Sequence, residues 1–371
     1  MVSKMRKEIE RNGPIPFARF MGLALYSPGE GYYERPQKIG VEGDFYTSVS
    51  AGPLFGELLA FQFARWFAES QETAGKQLQI IEAGAHDGKL AMDALRWFRT
   101  GLPEVFSKLE YWIVEPSELR RTWQKERLRE FQNVYWAPDL SGLSGNNAAT
   151  YRIIFSNELL DSMPAHRIGW EAKSKSWFEW GVGWDNRGFV WQRLSEEQRA
   201  QVSFPRLAPE LADVLFDQFL TEVCPAAIHW WTHAADLLGE GKILAIDYGL
   251  LEEEFFVPER CGGTLRAYFR HHASSDLLAR PGEQDLTAHV NFSRLKTAGE
   301  QAGLKTEAFI AQARFLTEIA TRTWATPEAF GPWEAHQRRQ FQTLTHPEHL
   351  GRPFRVLIQS RSSGCSRSEP E

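Results

Sequence analysis

Glu82 follows the run Leu78-Gln79-Ile80-Ile81 and opens the stretch Glu82-Ala83-Gly84-Ala85-His86-Asp87-Gly88. Leu90, Ala94, Trp97 and Phe98 come next at helical spacing. A strand, a glycine turn and a helix in that order let a ligand approach the backbone, because glycine accepts positive φ. An acid just before the first glycine suits a ligand with a cationic amino-acid moiety. S-adenosylmethionine, with its ammonium and sulfonium groups, is such a ligand. A tight turn with no ligand is the plainer reading. Neither G-x-G-x-x-G nor a phosphate loop ending in G-K-[ST] is present, which counts against dinucleotide and nucleotide-phosphate sites.

Four further places end apolar runs in the same way. Glu115 closes Glu110–Val114 and can accept hydrogen bonds from both ribose hydroxyls; a solvated loop acid is its alternative. Asp139 follows Val134–Ala137 and could meet an adenine amino group. Asn157, Glu158 and Asp161 follow Tyr151–Ser156, where a methyl acceptor is expected. Methyl transfer is an in-line displacement, so the protein mainly aligns a nucleophile and sheds water. A free guanidinium is always protonated. Carboxylates such as Glu158 and Asp161 would orient it and could take its proton. Capping of the turn and the next helix is the alternative for Asn157 and Asp161. Asp247 closes Ile243–Ile246, and Asp285, Thr287 and His289 lie in one later stretch. A lone histidine is more often structural than catalytic. His271-His272 is no metal signal without a third ligand.

Five apolar runs separated by helix-length segments predict parallel βαβ units in a doubly wound sheet, which binds ligands outside the carboxyl ends of its strands. Pro53 suits a first helical position, and Phe55, Leu59, Phe63, Trp66 and Phe67 predict one apolar helix face. Phe354–Arg361 reads as a final strand. Two regions break the rhythm. From Pro164 to about Leu194, Trp170, Trp177, Trp180, Trp184 and Trp191 alternate with polar residues around a turn at Asp185–Gly188. A hairpin or small antiparallel sheet is expected there, its aromatics either docking a partner or packing on the segment after Leu194. Residues 195–240 read as helical, and 251–290 as a loop-rich cap.

The chain has 371 residues, 43% of them hydrophobic, so a sizeable core is available. A net charge of -6 argues against a general nucleic-acid binder. Three cysteines, Cys224, Cys261 and Cys365, lie far apart and suggest neither a disulfide framework nor a metal site. No apolar run approaches the ~18 residues of a membrane span. The mixed charges of the first thirteen residues resemble neither a signal nor a transit peptide, so a cytoplasmic protein is expected.

Taken in order, GDFYTSVSAGPLFGELLA, EAGAHDGKLAMDAL, VEPSELRRTWQ, FSNELLDSMPAHRI, ILAIDYG, GTLRAYFRHH, DLTAHVNF and ARFLTEI resemble the MidA family, which includes mitochondrial complex I assembly methyltransferases and bacterial relatives. The departures are His86 for the middle glycine of E-x-G-x-G-x-G, Asn291 for the aspartate of H-V-D-F, and an altered Val49–Gly52. The resemblance implies an α/β, Rossmann-like class I fold with a mostly parallel seven-stranded sheet and helices on both faces. It implies an N-terminal segment, residues 1–50, that closes over the cofactor with Thr47 and Ser48. Residues 51–361 would be the methyltransferase domain, with insertions at about 164–240 and 251–290, and 362–371 a disordered tail. It further implies S-adenosyl-L-methionine as cofactor and methylation of a protein, on arginine. The acceptor would be a respiratory-chain subunit, and a homodimer is a possible assembly. Glu82, Gly84 and Gly88 would shape the methionine end of the site, Glu115 the ribose end and Asp139 the adenine end. Asn157, Glu158 and Asp161 would face the acceptor, with Asp247 and His289 nearby. The rivals are an assembly factor that binds the cofactor without turnover and a nicotinamide-dependent oxidoreductase.

Overall fold

Thr150–Asn157 is buried at every position, as a strand must be when both faces of its sheet are covered. The computed structural model describes residues 1–35, 47–69, 76–143, 150–199, 202–270 and 272–362. His271 and all but the first residue of the expected disordered tail therefore lie outside the described residues.

The main sheet is built on β1 (Gln77–Ala83), β2 (Leu109–Val114), β3 (Val134–Ala137), β4 (Thr150–Asn157), β5 (Glu240–Leu250), β6 (Lys305–Ala311) and β7 (Phe354–Arg361). Their spatial order is β6-β7-β5-β4-β1-β2-β3. Neighbours from β5 to β3 run parallel, while β7 is antiparallel to both β5 and β6. The two-residue strand Val290–Asn291 pairs with the end of β5 and brings the sheet to eight strands. The sheet is thus mixed, and the seven-stranded expectation holds only at the level of an α/β fold with helices on both faces.

Helices Leu54–Glu69, Lys89–Gly101 and Gln312–Ala325 cover one face, and Pro225–Leu238 and Phe292–Gln301 cover the other. The expected apolar stripe Phe55, Leu59, Phe63, Trp66 and Phe67 is buried. Each parallel strand from β1 to β4 delivers its following loop to one edge. The chemistry-bearing residues therefore converge there despite wide separation in sequence.

A five-stranded antiparallel sheet carries His166–Glu171, Ser176–Asp185, Gly188–Arg193 and Leu220–Val223, with Ile15–Pro16 added at one side. Residues 195–240 are not uniformly helical. Leu220–Val223 pairs with His166–Gly169, since Thr221 and Val223 bury well on a pleated face. Trp170 and Trp177 are buried against the segment after Leu194, and Trp177 Nε1 donates to the Pro205 carbonyl at 2.9 Å. Trp184 and Trp191 are partly buried: Trp191 packs on Phe17 of the helix Phe17–Tyr26, and Trp184 packs on Phe189, which meets Phe20. Trp170 and Trp177 thus pack within the chain, while Trp180, Trp184 and Trp191 keep part of their surface exposed. The expected cap is ordered by three short strands, Arg266–Phe269, His272–Ser274 and Asp285–Thr287.

Candidate functional site

The turn after β1 holds three consecutive left-handed conformations at alternate positions: Gly84 (φ 75°), His86 (φ 48°) and Gly88 (φ 82°). His86 keeps the backbone shape that glycine would take without cost. Its carbonyl is held by Gln124 Nε2 at 2.9 Å, and Gly84 N–H donates to the Val114 carbonyl at 3.3 Å. A Cβ on Gly84 would stand 2.8 Å from Leu159 Cδ1. His86 Nδ1 is buried without a hydrogen-bond partner, Asp87 Oδ1 being 3.9 Å away.

Glu82 lies beneath this turn, buried, and accepts from Tyr111 Oη at 2.7 Å. Burial pushes its carboxyl up to about 8 despite that hydrogen bond. The folded chain holds the proton from the ordinary value of 4.5 up to about 8, whereas the unfolded chain releases it. Stability from this group is present at low pH and is lost as pH rises through that window. Glu82→Gln imitates the protonated acid. Its melting temperature should approach the wild-type value at pH 5 and exceed it at pH 9; a constant difference across that range would refute the buried acid.

Glu115 ends β2 and is buried, accepting from Ser117 N–H at 3.0 Å and Gln124 Nε2 at 3.2 Å. Burial raises its pKa, and Arg120 opposes the shift. Asp139 is exposed and accepts from Ser141 N–H and Gly142 N–H at 2.8 and 3.1 Å, so it caps its own turn.

Beyond β4 the structure gathers the acids. Glu158 is itself left-handed, with φ 53°, and its N–H donates to the Ile246 carbonyl. Glu158 Oε1 accepts from Ser48 N–H at 3.2 Å and from Asn157 Nδ2 at 3.0 Å. Asn157 Oδ1 is left buried with no partner. Ser48 Oγ meets Gln312 Oε1 at 3.2 Å, and Thr47 is locked into a turn with Ser50. Asp247 lies inside β5, which continues to Leu250, and its carboxylate accepts from Leu159, Leu160 and Tyr248 N–H groups. It therefore clamps the turn that carries Glu158 and Asp161. Asp161 is buried beside Asp247, Asp285 and Glu158, and its carbonyl accepts from Ala288 N–H at 2.8 Å.

These carboxyls cannot all ionise together. Burial lifts Glu158 to about 8 and Asp247 to about 7, and burial with the neighbouring acids holds Asp161 well above its ordinary value.

His289 takes a different place. It lines a neighbouring cleft of about 810 Å³ with Glu222, Asn291 and Arg294. Burial, then the nearby Arg266 and Arg260, lowers its imidazole to about 4. Gln124, Arg120, Tyr26 and Tyr33 also reach this edge; the first two lie in the segment VEPSELRRTWQ, which gives them no role, and no motif marks the two tyrosines. Gln124 alone joins Glu115, the His86 carbonyl and Trp136 Nε1.

The profile of a family described as "Putative S-adenosyl-L-methionine-dependent methyltransferase" matches residues 58–310. Human "Protein arginine methyltransferase NDUFAF7, mitochondrial" is 30% identical over 324 residues, covering 80% of this chain and 68% of its own. The rat protein of the same name is 27% identical, covering 95% of this chain and 83% of its own. A crystal structure from Burkholderia thailandensis, bound to S-adenosyl-homocysteine, superposes with a TM-score of 0.80 at 31% identity, over 97% of this chain and 91% of that one. The curated relatives are mitochondrial by name, which overturns the expectation of a cytoplasmic protein. That expectation rested on the first residues. They fold as the helix Val2–Asn12 with Met5 and Ile9 buried, so their composition reports packing and not address.

Proposed function

The chain belongs to the family of S-adenosyl-L-methionine-dependent methyltransferases, and from that membership we propose that it methylates arginine side chains of a protein. Membership removes the nicotinamide-dependent rival. The residues at the edge fit the cofactor: a turn with three positive φ values opens the backbone, and the His86 Nδ1 and Asn157 Oδ1 atoms are buried and unpartnered. Glu82, Gly84 and Gly88 would shape the methionine end, Glu115 the ribose end and Asp139 the adenine end. Thr47 and Ser48 would close the site from the N-terminal segment. When bound, S-adenosylmethionine supplies a methyl carbon already activated by its sulfonium.

The observation that carries the arginine reading is the set of acceptor groups beyond β4. Glu158, Asp161 and Asn157 Oδ1 offer oxygens and no strong donor once the acids ionise. A guanidinium brings five N–H donors and a charge, and both are needed here. Asp247 holds the turn in place through its two hydrogen bonds from the Leu159 and Leu160 N–H groups. Glu158 or Asp161 accepts the proton the nitrogen must lose, within a site where burial excludes water.

The test is mass spectrometry of the host proteome with and without this gene. Arginine methyl groups should disappear from one or a few proteins; loss confined to lysine or to small molecules would sink the reading. A respiratory-chain subunit as acceptor is supported by the resemblance to complex I assembly methyltransferases. A homodimer belongs to the same reading and is checked by light scattering.

Glu115→Gln should weaken S-adenosylmethionine binding by about 1–3 kcal/mol, the scale of lost charge-assisted hydrogen bonds, while the melting temperature stays near wild type. Unchanged affinity in calorimetry would remove Glu115 from the ribose.

A further inference from the structure

Arg120 occupies an unfavourable place for a cation. It is the third residue of the helix Glu118–Arg127, at the positive end of the helix dipole, and it is only 8% exposed. A guanidinium stays charged, so its donors need partners. Arg120 Nε donates to the Tyr33 carbonyl at 2.9 Å, and the guanidinium lies 4.8 Å from the centre of the Tyr33 ring. Nη1 stands 3.8 Å from Glu115 Oε2, beyond hydrogen-bond reach. Nη2 is buried with no partner at all. A charged side chain held this way, beside a carboxylate it does not bond, keeps donors that a ligand oxygen meeting both groups could use.

Tyr33 continues the path. Its ring stacks on Tyr26 with centroids 5.5 Å apart. Tyr26 Oη lies 2.9 Å from both the carbonyl and the hydroxyl of Ser162, the residue after Asp161. One connected set of contacts therefore runs from Glu115 to the acceptor turn.

We propose that Arg120 binds the cofactor's ribose diol together with Glu115, and that through Tyr33 and Tyr26 it transmits cofactor occupancy to the turn bearing Asp161. Each ribose hydroxyl donates to Glu115 and accepts from Arg120, which meets the needs of both side chains. With its remaining donors engaged, Arg120 fixes Tyr33, and Tyr26 fixes Ser162. The cofactor then holds the acceptor turn more firmly in the arrangement these contacts already define, and the coupling is reciprocal. The proposal rests on the reading of Glu115 as the ribose acid.

The test uses the full chain and S-adenosylhomocysteine, which binds without turnover. Calorimetry gives affinity, and hydrogen exchange is followed in residues 17–34, 84–95 and 158–165. In the wild type the ligand should protect all three segments. Arg120→Gln should bind about tenfold more weakly. At saturation it should retain protection of 84–95 and lose it in 17–34 and 158–165. Tyr26→Phe keeps the ring and removes the hydroxyl; its affinity should be normal and only the protection of 158–165 lost. Wild-type affinity in Arg120→Gln alongside weakened binding in Glu115→Gln would overturn the proposal and spare the ribose reading. Wild-type affinity in Glu115→Gln would overturn the ribose reading itself. If Arg120→Gln does not fold, Tyr26→Phe decides: ligand-dependent protection of 158–165 equal to wild type overturns the coupling.

Discussion

Glu158→Gln should leave S-adenosylmethionine affinity close to wild type and lower the methylation rate by roughly two orders of magnitude, the scale of one lost electrostatic contact in a transition state. The substitution is conservative in shape. Glutamine Oε1 can still accept from Ser48 N–H and Asn157 Nδ2, so the turn beyond β4 keeps its two local hydrogen bonds. What disappears is the charge. Burial places the Glu158 carboxyl at about 8, so the free protein holds it mostly protonated at neutral pH. The anion is the form that orients a guanidinium and receives its proton. The acceptor's kcat/KM should therefore rise with pH toward about 8 in the wild type and lose that ionisation in the variant. Equal losses of cofactor binding and rate would place Glu158 at the cofactor. Full activity in the variant would move the acceptor toward Asp285.

Gly84→Val should abolish cofactor binding. Gly84 has φ 75°, a conformation that a β-branched residue adopts only with strain. Its added Cβ would meet Leu159 Cδ1 at 2.8 Å, so the side chain is driven against the turn that follows β4. The close approach to Leu159 adds a cost to folding as well. The expected result is no calorimetric signal with S-adenosylmethionine and a lowered melting temperature with native far-ultraviolet circular dichroism. Measurable binding near wild-type affinity would show that the turn is not the cofactor's cradle. Together the two variants separate the two ends of the reaction, since one loses rate with binding kept and the other loses binding outright.

The local pattern was enough to place six strands of the main sheet, while the edge strand Lys305–Ala311 and the short Val290–Asn291 were not read from it. Thr150–Asn157 and Glu240–Leu250 are dense apolar runs because they are covered on both faces, and that density is visible without any partner. Gly84 and Gly88 announced a turn because only glycine enters the left-handed region freely, and the order of motifs carried the family. The same local logic misjudged residues 195–240, where Leu220–Val223 becomes a strand only because His166–Gly169 lies beside it. It also left the aromatic stripe undecided between a partner and the chain itself, since an alternating pattern says which face is apolar and not what covers it.

The electrostatics belonged to the tertiary structure alone. Asp247 is about ninety residues from the turn it clamps, and it becomes a clamp only when β5 is laid beside β4. Burial, with Asp247 and Asp285 beside it, raises the pKa of Asp161 because separate elements meet at one edge. Tyr33 and Tyr26 carry no motif and Arg120 has no role assigned by its segment; their meaning lies in contacts to one another and in a distance to Glu115 that no spacing encodes. Residue type and periodicity determine which face of an element is buried. Desolvation and charge proximity depend on which elements become neighbours, and those terms decide which of the many acids in this chain can act.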